Sequence, residues 1–155
     1  MSAALPEIEQ GYAAPSIRQF SVFLDNKVGK LLELLEAFEE AEDVHVRALS
    51  VMDAADHAVI RMICDNADGA RHNLRRYNFA YSEMDVIVFE LDEESSFREA
   101  CRFLLGAELN IEFAYPVMRA GSDLSAMAIG VDDHTFAGQI LLRKGFPLLG
   151  EVDLM

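Results

Sequence analysis

The stretch Leu24-Asp25-Asn26-Lys27-Val28-Gly29-Lys30-Leu31 brings a carboxylate, a carboxamide, two ammonium groups and a glycine into one short turn. It joins an alternating apolar run to an amphipathic one, which places it between a strand and a helix. The start of a helix carries up to four backbone N–H groups without intrahelical partners. Asp25 and Asn26 can cap those groups, and Gly29 permits a positive φ or a close backbone approach. That reading needs no ligand. A second reading rests on charge. Lys27 and Lys30 lie at the positive end of the helix dipole, while Glu39, Glu40, Glu42 and Asp43 crowd the negative end. Both placements oppose the macrodipole, at about 0.3–1 kcal/mol each. A helix start reinforced by lysines suits an anion such as an α-carboxylate. The Asp25 carboxylate and the Asn26 side-chain oxygen can accept from an α-ammonium, so the turn fits a zwitterion.

Other groups with chemical potential do not assemble into a catalytic set. His45, His57, His72 and His134 are scattered without metal-ligand spacing. The carboxylates near His57 (DAADH) and His134 (DDH) fall in turns, where solvated turn chemistry explains them. No P-loop, Gly-x-Ser-x-Gly or Gly-x-Gly-x-x-Gly pattern is present, so no cofactor is implied. Ser95 and Ser96 read as a helix N-cap, with Glu99 near the capping-box position. A protein without enzymatic activity is expected. Cys64 and Cys101 sit in apolar contexts and read as buried small hydrophobes rather than a disulfide.

The elements that position the turn follow from periodicity. Residues 17–24 alternate, with Ile17, Gln19-Phe20, Val22 and Leu24 giving one apolar face. Leu31, Leu34, Leu35 and Phe38 form a helical stripe in a segment ending near Glu42. Residues 44–52 and 57–65 are strands joined as a hairpin, residues 67–79 a helix and residues 80–92 a strand. The order is βαββαβ, and then it recurs. Phe97 follows Leu31 by 66 positions, Leu104 follows Phe38 by 66, and Phe146 follows Phe79 by 67. An internal duplication explains the constant spacing. Three segments are expected: an N-terminal arm over 1–16, a first module over 17–83 and a second over 84–155. Each module is an α+β ferredoxin-like unit, an antiparallel sheet with both helices on one face. Side-by-side pairing of the two sheets would bury an edge from each.

The chain has 155 residues, 52% of them hydrophobic, enough for a sizeable core. Its formal charge is −14, from 27 acidic and 13 basic residues. Such a surface repels phosphate backbones and anionic membranes, so neither nucleic acid nor membrane is an expected partner. The N-terminus has no basic region and apolar core of the signal-peptide kind, and no apolar run approaches the roughly 18 residues of a membrane span. A cytoplasmic protein is expected.

With the repeat in place, the details resemble tandem ACT domains, ferredoxin-like modules that sense amino acids. RQFSVFLDNKVGKLLELLEAF resembles the opening strand, the Asn-x-Pro-Gly type loop and the helix of that family. VHVRALSV resembles its β2–β3 hairpin, and LNIEFAY the Asn-Ile step at the start of its β2. The likeness covers all but the N-terminal arm. Val28 stands where the family has Pro, and the second module's LDEESSF lacks the Gly. The resemblance implies a ligand between the β1–α1 loop of one module and the β2 start of another. Carried over by position, the site is Asp25, Asn26, Lys27, Val28 and Gly29 against Asn110 and Ile111, with His45 at the matching step of the first module. It further implies a non-catalytic allosteric regulator with a regulated metabolic enzyme as partner. The altered second loop leaves one functional type of site per chain, and the outer sheet edges that the paired modules still expose predict a homodimer. The alternative is a ligand-free interaction subunit or scaffold docking on a metabolic enzyme.

Overall fold

Alternation in Ile17-Arg18-Gln19-Phe20-Ser21-Val22-Phe23-Leu24-Asp25 sorts side chains to two faces of a strand. Phe20, Val22 and Leu24 face a core under two helices, and Ile17 faces a different one. The computed structural model describes residues 14–25 and 28–155. Its elements are β1 (Ile17–Asp25), α1 (Lys30–Glu39), β2 (Val46–Asp53), β3 (His57–Cys64), α2 (Ala67–Arg76) and β4 (Ala80–Leu91). There follow α3 (Phe97–Gly106), β5 (Ile111–Val117), β6 (Ser125–Val131), α4 (His134–Arg143), β7 (Leu148–Leu149) and a 3₁₀ turn (Glu151–Leu154). The strands make one antiparallel sheet in the order β2-β3-β1-β4-β6-β5, with β7 also on β4. The ferredoxin-like, mixed α/β architecture is the one the duplicated βαββαβ pattern predicts.

The two halves are joined by a strand rather than by paired edges. Residues 80–86 of β4 bond to β1, and residues 87–91 bond to β6. Nothing in Ala80–Leu91 breaks a strand, since it holds neither Gly nor Pro. It therefore runs through Glu83 as the last strand of one half and the first of the other. Its parity is kept throughout. Tyr81 packs in the core beneath α1 and α2, Ile87 and Phe89 in the core beneath α3 and α4, and Val86 and Val88 in a third core. That third core joins the helix-free faces: Ile17, Ala48 and Ile63 from the first half meet Tyr115, Val117, Ala126 and Ala128 from the second. The sheet has curled until its outer strands meet, and the Met118 N–H donates to the Arg47 carbonyl at 2.7 Å.

Helix ends repeat across the halves. Asn66 caps α2 by accepting from the Gly69 N–H, and Asp133 caps α4 by accepting from Phe136. Ser96 caps α3 through the Glu99 N–H. Helices α2, α3 and α4 stop at left-handed residues, Asn78 (φ 60°), Glu108 (φ 60°) and Gly145 (φ 86°). In each, the next residue bonds back five positions, as from the Phe79 N–H to the Leu74 carbonyl at 2.9 Å. This is why α2 ends at Arg76, short of the Phe79 that the sequence pattern suggests. Helix α1 has no left-handed residue after it; its Ala37 carbonyl accepts from the Asn73 side chain of α2 at 2.8 Å. It ends at Glu39, short of the Glu42 that the sequence pattern suggests.

Polar groups cross the third core in pairs. Gln19 is fully buried, and its Oε1 accepts from the Tyr115 hydroxyl at 2.5 Å. Burial pushes that hydroxyl's pKa up, so it stays a donor. The Arg61 guanidinium lies 4.2 Å from the centre of the Phe113 ring. The ring covers Gly130 on the neighbouring strand, where a Cβ would fall 2.1 Å from Phe113 Cζ. Cys64 is buried, and desolvation raises its thiol pKa to about 12; Cys101 is half-buried and its thiol is raised too. Both cysteines are free. Among the described residues, no helix is long and apolar enough to cross a membrane.

Two outcomes follow from these contacts. Tyr115→Phe leaves a buried carbonyl oxygen of Gln19 without its donor and destabilises by about 1–3 kcal/mol in urea denaturation. The double variant Gln19→Leu, Tyr115→Phe costs less than the sum of its parts, because both polar partners leave together. Gly130→Ala drives a methyl into the Phe113 ring and costs about 1–3 kcal/mol. Adding Phe113→Ala to it costs less than Phe113→Ala costs in the wild-type background, since removing the ring also relieves the clash.

Candidate functional site at the first strand-to-helix turn

The turn after β1 is built differently from its counterpart after β4. Asp25 closes β1 opposite His57. Val28 is fully exposed, and Gly29 occupies the N-cap position of α1 with φ +93°. Only glycine holds that conformation without strain, which is why the residue stands there. Asn26 and Lys27 lie outside the described residues. Among the described residues α1 has no side-chain cap, whereas α2, α3 and α4 each have one. Asp25 thus does not serve as the cap that its position suggests. Among the described residues, no side chain bonds to the first-turn amides of α1, which lie at the positive end of the helix dipole. Lys30 projects beside them and pairs with Glu33 at 3.2 Å.

In the second half the equivalent turn closes on itself. Asp92 Oδ1 accepts from the N–H groups of Glu94 at 2.9 Å and Ser95 at 2.5 Å, and Ser96 caps the helix. Here Asp92 engages two amides of the turn and Ser96 one amide of the helix start.

A cleft of about 260 Å³ opens beside the first turn, lined by Phe23, Asp25, Lys30, Glu33, Tyr77 and Asn78 with their neighbours. It offers a carboxylate acceptor, an ammonium donor and an aromatic wall within one small space. The facing element within the chain is the α2–β4 turn. Asn110 and Ile111 do not line this cleft, and neither does His45.

His45 and Asn110 occupy matching places, each just before a strand. The His45 N–H donates to Asp65 Oδ1 at 2.7 Å, and the Asn110 N–H donates to Asp132 Oδ1 at 3.2 Å. In return the Asp65 and Asp132 N–H groups donate to the carbonyls of His45 and Asn110. The two carboxylates thus hold the starts of β2 and β5 in the same way. Their separation of 67 residues matches the spacing of the repeat. The imidazole of His45 is committed as well, with Nδ1 2.7 Å from Asp65 Oδ2. Arg47 adds a contact to Asp65 at 3.4 Å and donates through Nε to the Leu154 carbonyl at 2.9 Å. The Asn110 side chain is exposed at the head of β5. Among the described residues, no three His, Cys, Asp or Glu side chains gather as a metal ion requires.

Comparison with known proteins bears on this duplicated arrangement. The chain is similar to the solved structure of protein BT0572 from Bacteroides thetaiotaomicron, with a TM-score of 0.78 and 26% identity over 91% of this chain and 96% of that one. Its fold is also similar to that of the regulatory subunit of aspartate kinase from Thermus thermophilus in its ligand-free form. There the TM-score is 0.53 and the identity 12%, over 85% of this chain and 94% of that one. A search of curated proteins returned no match. The model of the family described as an ACT domain pair matches residues 15–155, which takes in both halves, the shared strand and both turns. The chain belongs to the ACT domain pair family.

Proposed function

We propose that this chain is a non-catalytic regulatory protein that binds a free amino acid where the turn between β1 and α1 meets the start of a β2-type strand. The observation that carries the reading is the open start of α1. Its N-cap is Gly29, its amides have no side-chain cap among the described residues, and Asp25 and Lys30 stand beside it. A carboxylate bound at those amides is favoured by the dipole, and the neighbouring ammonium by the Asp25 carboxylate. An amino acid carries both groups on one carbon. Membership in the ACT domain pair family supports the same assignment.

The proposed contacts are Asp25, Asn26, Lys27, Val28 and Gly29 on the turn, with Asn110 and Ile111 facing them. His45 belongs to the set by position, but its ring is engaged by Asp65. Because Asn110 does not line the cleft within its own chain, a second copy supplies it, which makes the active species a homodimer. One turn per protomer binds, since the turn after β4 uses its own amides. A ligand shared between protomers favours the packing that completes its site, and an enzyme partner reads the resulting shift in population.

A thermal-shift screen against the twenty amino acids tests this. The cognate ligand at 100 times its dissociation constant stabilises by about 2.7 kcal/mol. Asn26→Ala and Asn110→Ala each reduce the shift. No shift with any amino acid overturns the proposal in favour of a ligand-free docking subunit, and a shift unaltered in both variants moves the site elsewhere. Sedimentation provides a separate check. Two chains of charge −14 repel, so dimerisation strengthens with ionic strength from about 0.01 to 0.15 M and strengthens again with the ligand. A monomer at all salt and ligand concentrations excludes the shared site.

A further inference from the structure

Cross-strand pairing sets four side chains of the first half in one transverse row. Met52 pairs with Val59, Val59 with Phe23 and Phe23 with Ala80, across β2, β3, β1 and β4. Alternation along each strand puts all four on the helix-free face, the face of Ile17, Ala48 and Ile63. Those three are buried against the second half, but the row lies further along the strands and faces water. Met52 is 43% exposed and Phe23 44%, Val59 is half-buried and Ala80 is exposed. Between the row and the third core, Ser50, Arg61, Ser21 and Ser82 form a polar row.

The duplication supplies an internal comparison. Val59 and Phe23 recur 67 positions on as Ala126 and Glu90. Met52, the partner of Val59, recurs as Val117, the partner of Ala126. Val117 and Ala126 are buried in the third core, and Glu90 pairs with Arg119. The second half therefore closes this row, partly by burial and partly by an ion pair. The fold does not need an aromatic ring at position 23, and in the first half the row is apolar and uncovered.

Charge and position point to what covers it. The chain carries a formal charge of −14. A two-fold contact brings the same surface of both copies together, so a charge near its axis meets its like. The row itself carries no charge. Its charged flanks are Arg61, turned to the Phe113 ring at 4.2 Å, and Asp25, which lines the cleft at the first turn. The row is continuous with that cleft, because Phe23 and Ala80 line both. We infer that a second copy of this chain docks across a two-fold axis on the row formed by Met52, Val59, Phe23 and Ala80. The same contact brings the partner protomer to the rim of the cleft. This inference rests on the reading that a second copy completes the amino-acid site, and it assigns the face through which that copy binds.

Sedimentation equilibrium of the full chain tests the inference. Met52→Lys and Phe23→Glu, the latter copying the second half, each raise the dimer dissociation constant about tenfold or more. Leu105→Lys replaces a 75% exposed residue of α3 with the same change of charge as Met52→Lys, and leaves the dimer unchanged. Circular dichroism of each variant checks that it is folded; should Phe23→Glu fold poorly, Met52→Lys decides alone. A dimer unaffected by Met52→Lys, or weakened equally by Leu105→Lys, overturns the inference and leaves the amino-acid reading with a different interface. A dimer weakened by Met52→Lys alone but unmoved by any amino acid upholds the inference and overturns the amino-acid reading. A chain that stays monomeric at about 0.1 mM, with and without amino acids, overturns both.

Discussion

Everything in this molecule hangs on the parity of one strand. β4 is 12 residues long and serves two half-sheets at once. Because strand side chains alternate, its odd positions support the two helix-covered cores while Val86 and Val88 feed the core between the sheet's helix-free faces. A slip of one residue would turn Phe89 into the inner core and Val88 under the helices, disrupting both at once. The two modules are thereby fixed relative to one another by covalent continuity and by a shared apolar layer. Leu154, 2% exposed, plugs that layer from the chain's last turn, and Arg47 of the first half holds its carbonyl.

Within that symmetric frame the halves have diverged where chemistry is done. Asp65 and Asp132 clamp the heads of β2 and β5 alike, and Asn66 and Asp133 cap the following helices alike. The strand-to-helix turns differ. In one, Asp92 and Ser96 bond to amides of the turn and the helix start; in the other, the N-cap is Gly29 and no described side chain caps the helix. Helix α1 is unusual at its far end too, where a carboxamide from α2 replaces the left-handed stop used by the other three helices. A repeat conserves its packing rules, because the core punishes departures, while its surface turns are free to specialise.

Much of the fold is legible in the sequence because it rests on local periodicity. Leu31, Leu34, Leu35 and Phe38 announce a helix, and the spacing of 66 to 67 residues announces a repeat. Helix ends are less legible. The sequence reading carries α2 on to Phe79, yet Asn78 adopts φ 60° and bends the chain away, which periodicity does not register. The start of α1 is hidden for a related reason: an Asp before a helix is a common cap, but Gly29 takes the position instead. The partners of His45 were invisible because Asp65 lies 20 residues away and reaches it only across the β2–β3 pair.

The sequence by itself determined the element order, the duplication, the family and the glycine that opens the first turn, since each of these is written in residue type and spacing along the chain. Tertiary structure alone decided three other matters. It placed Tyr115 against Gln19 across 96 positions, it set the α2–β4 turn opposite Asp25, and it left Asn110 outside that cleft. These depend on how a twisted sheet curls and on which faces then meet. That is a balance of burial over the whole molecule, which no local pattern encodes.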